Sequence, residues 1–279
     1  MSVAEKMTAI ANAIRNKTGK TDKLSLDEMA TEINEISSGE RDINPEWTNW
    51  GYFCSFRGSL AAKLKYSDTS NGTNFSYMFN YCNTLTTIPA LDTSKGTVFS
   101  NMFSNCSALT TIPALDTSKG TGFSNMFYEC RRLTTIPALD TSKGTGFSYM
   151  FGYCSALTTI PALDTSNGTN FSNMFNNCSA LTTIPQLNLT KSTSSSALNG
   201  AFIRCIALVD LNIVGTINAT GLNVQNSPLS HDSLMSIITA LADKTSASGT
   251  WKVTLGSTNL AKLTADEIAI AEGKGWTLA

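Results

Sequence analysis

The chain has 279 residues, 42% hydrophobic and 15% charged, with Lys+Arg 20 against Asp+Glu 21 and a net charge of −1. That composition excludes a disordered chain and supports one elongated domain with attached caps. Balanced charge without a basic stripe argues against nucleic acid and anionic membranes as partners, and no stretch approaches the roughly 20 apolar residues of a membrane span.

The opening MSVAEKMTAIANAIRNKTGK has no basic region followed by an apolar run, so no signal peptide is expected and folding in the cytoplasm is. Residues 2–37 predict two short helices. Ser2 with Glu5 and Ser25 with Glu28 have capping-box spacing. Val3, Met7, Ile10 and Ile14 form one apolar stripe, and Leu26, Met29, Ile33 and Ile36 the other. Helices this short are marginal alone, so residues 1–38 are read as a hairpin that packs on itself, on the rest of the chain or on a partner. Residues 39–66 crowd Trp47, Trp50, Tyr52, Phe53 and Phe56, with Leu64 where the repeat below has Ile88. They predict a degenerate first coil capping an apolar end.

Residues 67–215 carry a 24-residue repeat, DTSxGTxFSxMFxxCxxLTTIPxL, starting at Asp68, Asp92, Asp116, Asp140 and Asp164. A fixed period of this size predicts an α/β solenoid, in which each unit buries its apolar face only against its neighbours. Phe75, Met78, Phe79 and Cys82 fall at i, i+3, i+4 and i+7, which predicts a two-turn helix. The segment LTTIPAL suits a short strand that ends at Pro89, and Asp92 to Gly96 has turn chemistry. Stacking these units places parallel strands about 4.8 Å apart.

Five of the seven cysteines recur with the repeat (Cys82, Cys106, Cys130, Cys154, Cys178), and Cys205 follows after a three-residue slip. A buried column of free thiols is expected. Neighbouring coils bring them within bridging range, but pairing would break the equivalence of the coils. Cys54 lies outside the column and receives no assignment.

After Leu187 the run TKSTSSS interrupts the pattern, and Phe202, Cys205, Leu208 and Leu211 resume it. Residues 216–279 predict larger irregular coils closing the far end. Ser230 caps a helix carrying Leu234, Ile237, Ile238 and Leu241; WKVTL is a strand; Thr264 with Glu267 caps another helix; Trp276 to Leu278 is a last strand.

Catalytic signals are sparse. Ser230, His231 and Asp232 are consecutive, but adjacency does not create triad geometry, and a helix N-terminus explains the same residues. No His/Cys cluster has metal-ligand spacing and no phosphate loop is present, so neither enzyme activity nor a metal or cofactor is expected. The column Asp68, Asp92, Asp116, Asp140, Asp164 could form a calcium ladder. Turn formation, with Lys95, Lys119 and Lys143 nearby, is the reading preferred here.

Three columns vary between repeats: Tyr77/Asn101/Asn125/Tyr149/Asn173, Asn80/Ser104/Tyr128/Gly152/Asn176 and Tyr81/Asn105/Glu129/Tyr153/Asn177. All three are expected on the outward side of the helix. Drift of exposed positions explains the variation; a recognition face also explains it, since Tyr, Asn, Ser and Gly are paratope residues. The candidate partner-binding residues are Tyr128, Glu129, Arg131, Arg132, Tyr149 and Tyr153.

The core MF-x-x-C-x-x-L, here Met102-Phe103 to Leu109, together with DTS at the turn, resembles the BspA-like leucine-rich repeats of bacterial surface proteins. The segment IANAIRNKTGKTDKLSLDEMATEI is similar to the opening of tail-associated proteins in phages and prophages of Gram-positive bacteria. HDSLMSIITALADKT and LGSTNLAKLTADEIAIAEGKGWTL resemble the closing segments of repeat proteins from the same setting. The resemblance implies a non-enzymatic receptor-binding or adhesion protein on the virion tail, attached to tail or baseplate proteins through the hairpin. Its target would be a bacterial surface protein or glycan. A structural virion component with the solenoid as spacer, or a bacterial surface adhesin, are the alternatives; self-association stays open.

Overall fold

The computed structural model describes residues 48–51, 53–55 and 68–279. The hairpin expected over 1–38 and most of the aromatic cap, including Trp47, Tyr52, Phe56 and Leu64, lie outside the described residues.

Up to Leu211 the described residues wind in stacked coils, each hydrogen-bonded to the next through parallel contacts. Bridges link Asn49 to Asn74, Asn74 to Val98, Val98 to Gly122, Gly122 to Gly146 and Gly146 to Asn170. The expected two-turn helix is absent from the repeats. The run from Phe75 to Cys82 is instead a chain of tight turns in which Tyr77 and Tyr81 both have φ 60°. Alternate N–H groups divide two tasks. Met78, Asn80 and Cys82 donate to carbonyls three residues back, whereas Phe75, Tyr77, Phe79 and Tyr81 donate to Val98, Ser100, Met102 and Ser104 in the next coil. A helix of eight residues is below the length at which helices hold together, and it would spend its N–H groups on itself. The alternating scheme satisfies the backbone within the coil and between coils at once. The pattern i, i+3, i+4, i+7 still points one way, so the apolar residues still face inward.

The LTTIPAL segments run extended but pair sparsely. Thr110 and Thr158 each give one backbone N–H to the equivalent threonine one coil earlier, and the side-chain hydroxyls do the same. The proline interrupts the pairing, and at Pro185 the ladder resumes beyond it after a register shift between Ile184 and Leu187. A named strand appears only at the last repeat, where β1 (Thr183–Asn188) pairs in parallel with β2 (Asp210–Val214).

The core is a set of columns. Phe75, Phe99, Phe123, Phe147 and Phe171 stack in one ladder, and Phe79, Phe103, Phe127, Phe151, Phe175 and Phe202 in a second, with successive centroids 5.4–5.9 Å apart. All are buried. Gly96 must lack a side chain, because a Cβ there would lie 2.5 Å from the Phe99 ring and 2.9 Å from the Thr93 carbonyl oxygen. Each thiol of the cysteine column donates to a carbonyl in the preceding coil: Cys106 to Phe79, Cys130 to Phe103, Cys154 to Phe127, Cys178 to Phe151 and Cys205 to Phe175. All seven cysteines are free and buried. Cys54 has an assignment after all. Its N–H donates to Met78 as that of Phe79 donates to Met102, and Trp50 donates to Asn74 as Phe75 does to Val98. Trp50 and Cys54 therefore fill the two phenylalanine positions of a first coil.

Beyond β2 the chain forms α1 (His231–Ala240), β3 (Trp251–Val253), α2 (Ser257–Leu260), α3 (Ala265–Gly273) and β4 (Trp276–Leu278). Ser230 caps α1 by accepting from the Ser233 N–H, and Thr264 and Glu267 form a capping box on α3. β3 and β4 pair in parallel. Helix α1 also closes the edge of β2. Ser233 Oγ accepts from the Leu211 N–H and Ser236 Oγ from the Ile213 N–H, so two hydroxyls stand where another strand would be.

Candidate functional site

The turn runs place the three variable columns differently from one another. Columns one and three hold the left-handed positions: Asn101 (φ 60°), Asn125 (57°), Tyr149 (54°) and Asn173 (56°), then Asn105 (63°), Glu129 (61°), Tyr153 (63°) and Asn177 (61°). The frequent asparagine is therefore a backbone requirement, since Asn tolerates this region better than most residues. Column two corrects the expectation of an outward face: Asn80, Ser104 and Asn176 are buried to between 2% and 9% exposure, and Gly152 is buried as well. Each coil covers that position on the one before it.

Column two opens at Tyr128, which is half-buried. Gly152 makes room for it, since a Cβ at Gly152 would lie 3.2 Å from the Tyr128 ring. Tyr149 and Tyr153 then pack edge-on against Tyr128, each with centroids 5.6 Å away. Burial raises the Tyr128 phenol above its ordinary pKa, assisted by the Glu129 carboxylate and by neighbouring tyrosines including Tyr81. Tyr81 is itself 43% exposed. Arg131 pairs with Glu129 at 2.8 Å; this hydrogen-bonded contact raises the guanidinium pKa. Arg131 and Arg132 are exposed. The structure thus gathers Tyr128, Tyr149 and Tyr153 into one aromatic cluster, with the Glu129–Arg131 pair directly following Tyr128 in the chain. Rigid amphipathic rings beside charged groups suit recognition of a polar surface. Sequence reasoning omitted Tyr81, whose signal was its place in the same column as Tyr153.

Replacing Asn125 by valine is expected to cost ~1–2 kcal/mol, the penalty for a left-handed L-residue. Replacement by glycine should cost little. Urea unfolding of the two variants checks this, and equal losses would contradict a backbone role for the column.

The Asp column serves its turns. Each carboxylate accepts the N–H of the serine two residues on, at 2.9–3.0 Å. Those serines, through hydroxyl and N–H, hold the carboxyls of Asp92, Asp116, Asp140 and Asp164 below the ordinary range; at Asp68 the Ser70 N–H leads. The adjacent threonines tie the coils: Thr93 Oγ1 donates to the Asp116 carbonyl and Thr117 Oγ1 to that of Asp140. Lys95 reaches Asn71 one coil earlier at 2.6 Å. Among the described residues no group of three or more His, Cys, Asp or Glu could hold a metal, and no helix is long and apolar enough to cross a membrane.

His231 pairs with Glu267 across α1 and α3, Nε2 to Oε1 at 2.8 Å, while Ser230 shares a hydrogen bond with Ser233. Ser230 and His231 thus turn to separate contacts, one capping α1 and the other reaching α3, rather than to each other. A shallow cavity of about 330 Å³ beside them is lined by Thr183, Asp210, Asn212, Ser230 and Asp232.

These features define a protein of stacked 24-residue repeats with an aromatic and charged patch on its turn surface. The chain belongs to the family described as Mycoplasma protein of unknown function, DUF285, whose model matches residues 52–157 and 110–202. That family is associated with BspA-like repeat proteins. No curated protein and no solved structure matches the chain significantly.

Proposed function

We propose that this chain is an α/β solenoid of BspA-like leucine-rich repeats that works by binding rather than catalysis, as a tail-associated protein of a phage or prophage. It recognises a bacterial cell surface, protein or glycan, through the turn surface around Tyr128, Glu129, Arg131, Arg132, Tyr149 and Tyr153. The N-terminal residues 1–38 join it to the tail or baseplate. The observation that carries the binding surface is the edge-on packing of Tyr149 and Tyr153 against Tyr128, beside an ion pair that leaves the Arg131 side chain 54% exposed. The tail setting rests on the resemblance of the two flanking segments.

The test is a combined change of Tyr128, Arg131, Arg132 and Tyr153 to alanine, with binding to Gram-positive cells measured by flow cytometry. Tyr and Arg anchors each reach ~2 kcal/mol at hot spots, so a loss of at least ~100-fold in affinity is expected. Thermal stability should change little, because Arg131 and Arg132 are exposed and both tyrosines are only half-buried. Undiminished binding by a folded variant would move the site elsewhere or favour a spacer role.

A further inference from the structure

The ladder of the turn runs has a single polarity, and it ends without a partner. In the fifth repeat Phe171, Asn173, Phe175 and Asn177 donate their N–H groups to Ala197, Asn199, Ala201 and Ile203 in the next coil. The residues in register one coil later are Leu198, Gly200, Phe202 and Arg204. They repeat the same backbone shape, Gly200 at φ 70° and Arg204 at 60° matching Asn173 at 56° and Asn177 at 61°. Among the described residues none of these four N–H groups has an acceptor; Leu198 and Phe202 are buried, so Gly200 and Arg204 hold the two donors a partner can reach. The sequence supplies the cause. The following unit passes from Leu222 to Ser230 through NVQNSPL, where Ser230 gives its N–H to the Val209 carbonyl, so the turn run is not rebuilt above this coil.

The side chains change at the same place. Asn176, Ser179 and Thr182 are followed in register by Ile203, Ile206 and Val209. These are 37%, 60% and 40% exposed, although Asn176 is only 9% exposed in the column that Ile203 continues. Three aliphatic groups therefore border the two reachable donors, and the exposed Arg204 adds a cation.

We propose that this end of the turn layer, Gly200 to Val209, is a docking edge for a polypeptide segment of a partner protein. The segment brings backbone carbonyls to the N–H groups of Gly200 and Arg204, aliphatic side chains to Ile203, Ile206 and Val209, and a carboxylate to the Arg204 guanidinium. Charge complementarity selects this occupant. Within the turn runs the inter-coil N–H groups from each Phe to the second left-handed residue all point toward the next coil, although the threonine two residues before each Phe donates the other way, so the run presents N–H groups and the Arg204 cation at this edge. In the coils before it, the same row of donors is met by peptide carbonyls at alternate residues, the chemistry of strand addition. A second copy offering the same edge would present donors to donors and cannot pair. The inference stands apart from the receptor surface, since Tyr153 lies two coils earlier.

The probe is a fluorescein-labelled peptide copying residues 120–130 of the repeat. Its carbonyls at Gly122, Ser124, Met126 and Tyr128 meet such a row within the chain, and it carries Glu129. Anisotropy with the full chain should show saturable binding. Ile203→Lys combined with Ile206→Lys should weaken it at least ~10-fold, as loss of anchoring contacts at a small interface does, and Arg204→Glu should weaken it ~3-fold or more through charge reversal. Amide exchange supplies a second readout: the N–H groups of Gly200 and Arg204 should exchange faster than those of Asn173 and Asn177, and slow when the peptide is added. No saturable binding up to millimolar peptide, binding equal in all variants, or self-association that Ile206→Lys abolishes would each overturn the proposal.

Discussion

Raising the pH from 8 to 10 is expected to unfold this protein in a steep transition, because its core is lined with thiols that cannot ionise in place. Burial pushes the Cys54, Cys106, Cys130 and Cys178 thiols well up, and those of Cys154 and Cys205 to about 12. In the unfolded chain the same thiols titrate near ~8.5. A folded pKa raised above the unfolded one contributes stability that is complete below the unfolded value and is lost as pH rises toward the folded value. At pH ~9.5 each of the six withdraws on the order of 1 kcal/mol, so that together they remove several kcal/mol, a large part of the stability of a typical domain. Circular dichroism against pH should therefore show unfolding in that window, and exchanging Cys130 for alanine should make the transition shallower. At pH 7.5 a thiol reagent should find none of the seven cysteines until denaturant is added. A fold unchanged at pH 10, or rapid native labelling of five or more thiols, would contradict the buried column.

The phenylalanine ladders carry the second large effect. Phe127 is fully buried between Phe103 and Phe151, with centroids 5.6 Å away on either side and planes within 7°. Truncating a buried Phe to alanine costs ~3–5 kcal/mol through lost transfer energy and the cavity left behind. Two aromatic contacts of ~0.5–1.5 kcal/mol each go with it, so Phe127→Ala should fall at the upper end. Among the described residues Phe202 stacks on one ring alone, that of Phe175 at 5.9 Å. Phe202→Ala should therefore cost ~1 kcal/mol less than Phe127→Ala, by loss of one aromatic contact instead of two. Coils that touch only their neighbours also transmit a central defect to both sides. Urea unfolding of the two variants measures the difference; equal losses would mean that ladder position does not matter.

Features set by local chemistry were legible in the sequence: the 24-residue period, the inward columns of Phe, Met, Cys, Leu and Ile, the cap at Ser230 and the capping box of Thr264 with Glu267. The turn run was not. An i, i+3, i+4, i+7 pattern fits any chain that reverses every three or four residues, and only the inter-coil hydrogen bonds separate turns from a helix. Asparagine at Asn101, Asn105, Asn125, Asn173 and Asn177 carried the left-handed signal, but Tyr149, Glu129 and Tyr153 share those columns and masked it. Cys54 escaped assignment because it precedes Phe79 by 25 residues, so the repeat period does not reach it. At the candidate surface the identities of Tyr128, Tyr149 and Tyr153 were plain. Their edge-on packing was not, because it depends on the missing side chain of Gly152 in the next coil.

The central claim is that the turn surface near Tyr128 is the face that recognises a bacterial surface. Hydroxyl-radical footprinting of the full chain, free and bound to Gram-positive cell-wall fragments, tests it most directly. Tyr128, Tyr149 and Tyr153 should lose reactivity on binding, while Pro137 and Pro161 on the extended side of the same coils keep theirs. Protection confined to the prolines and the neighbouring threonines, with the three tyrosines unchanged, would contradict the claim.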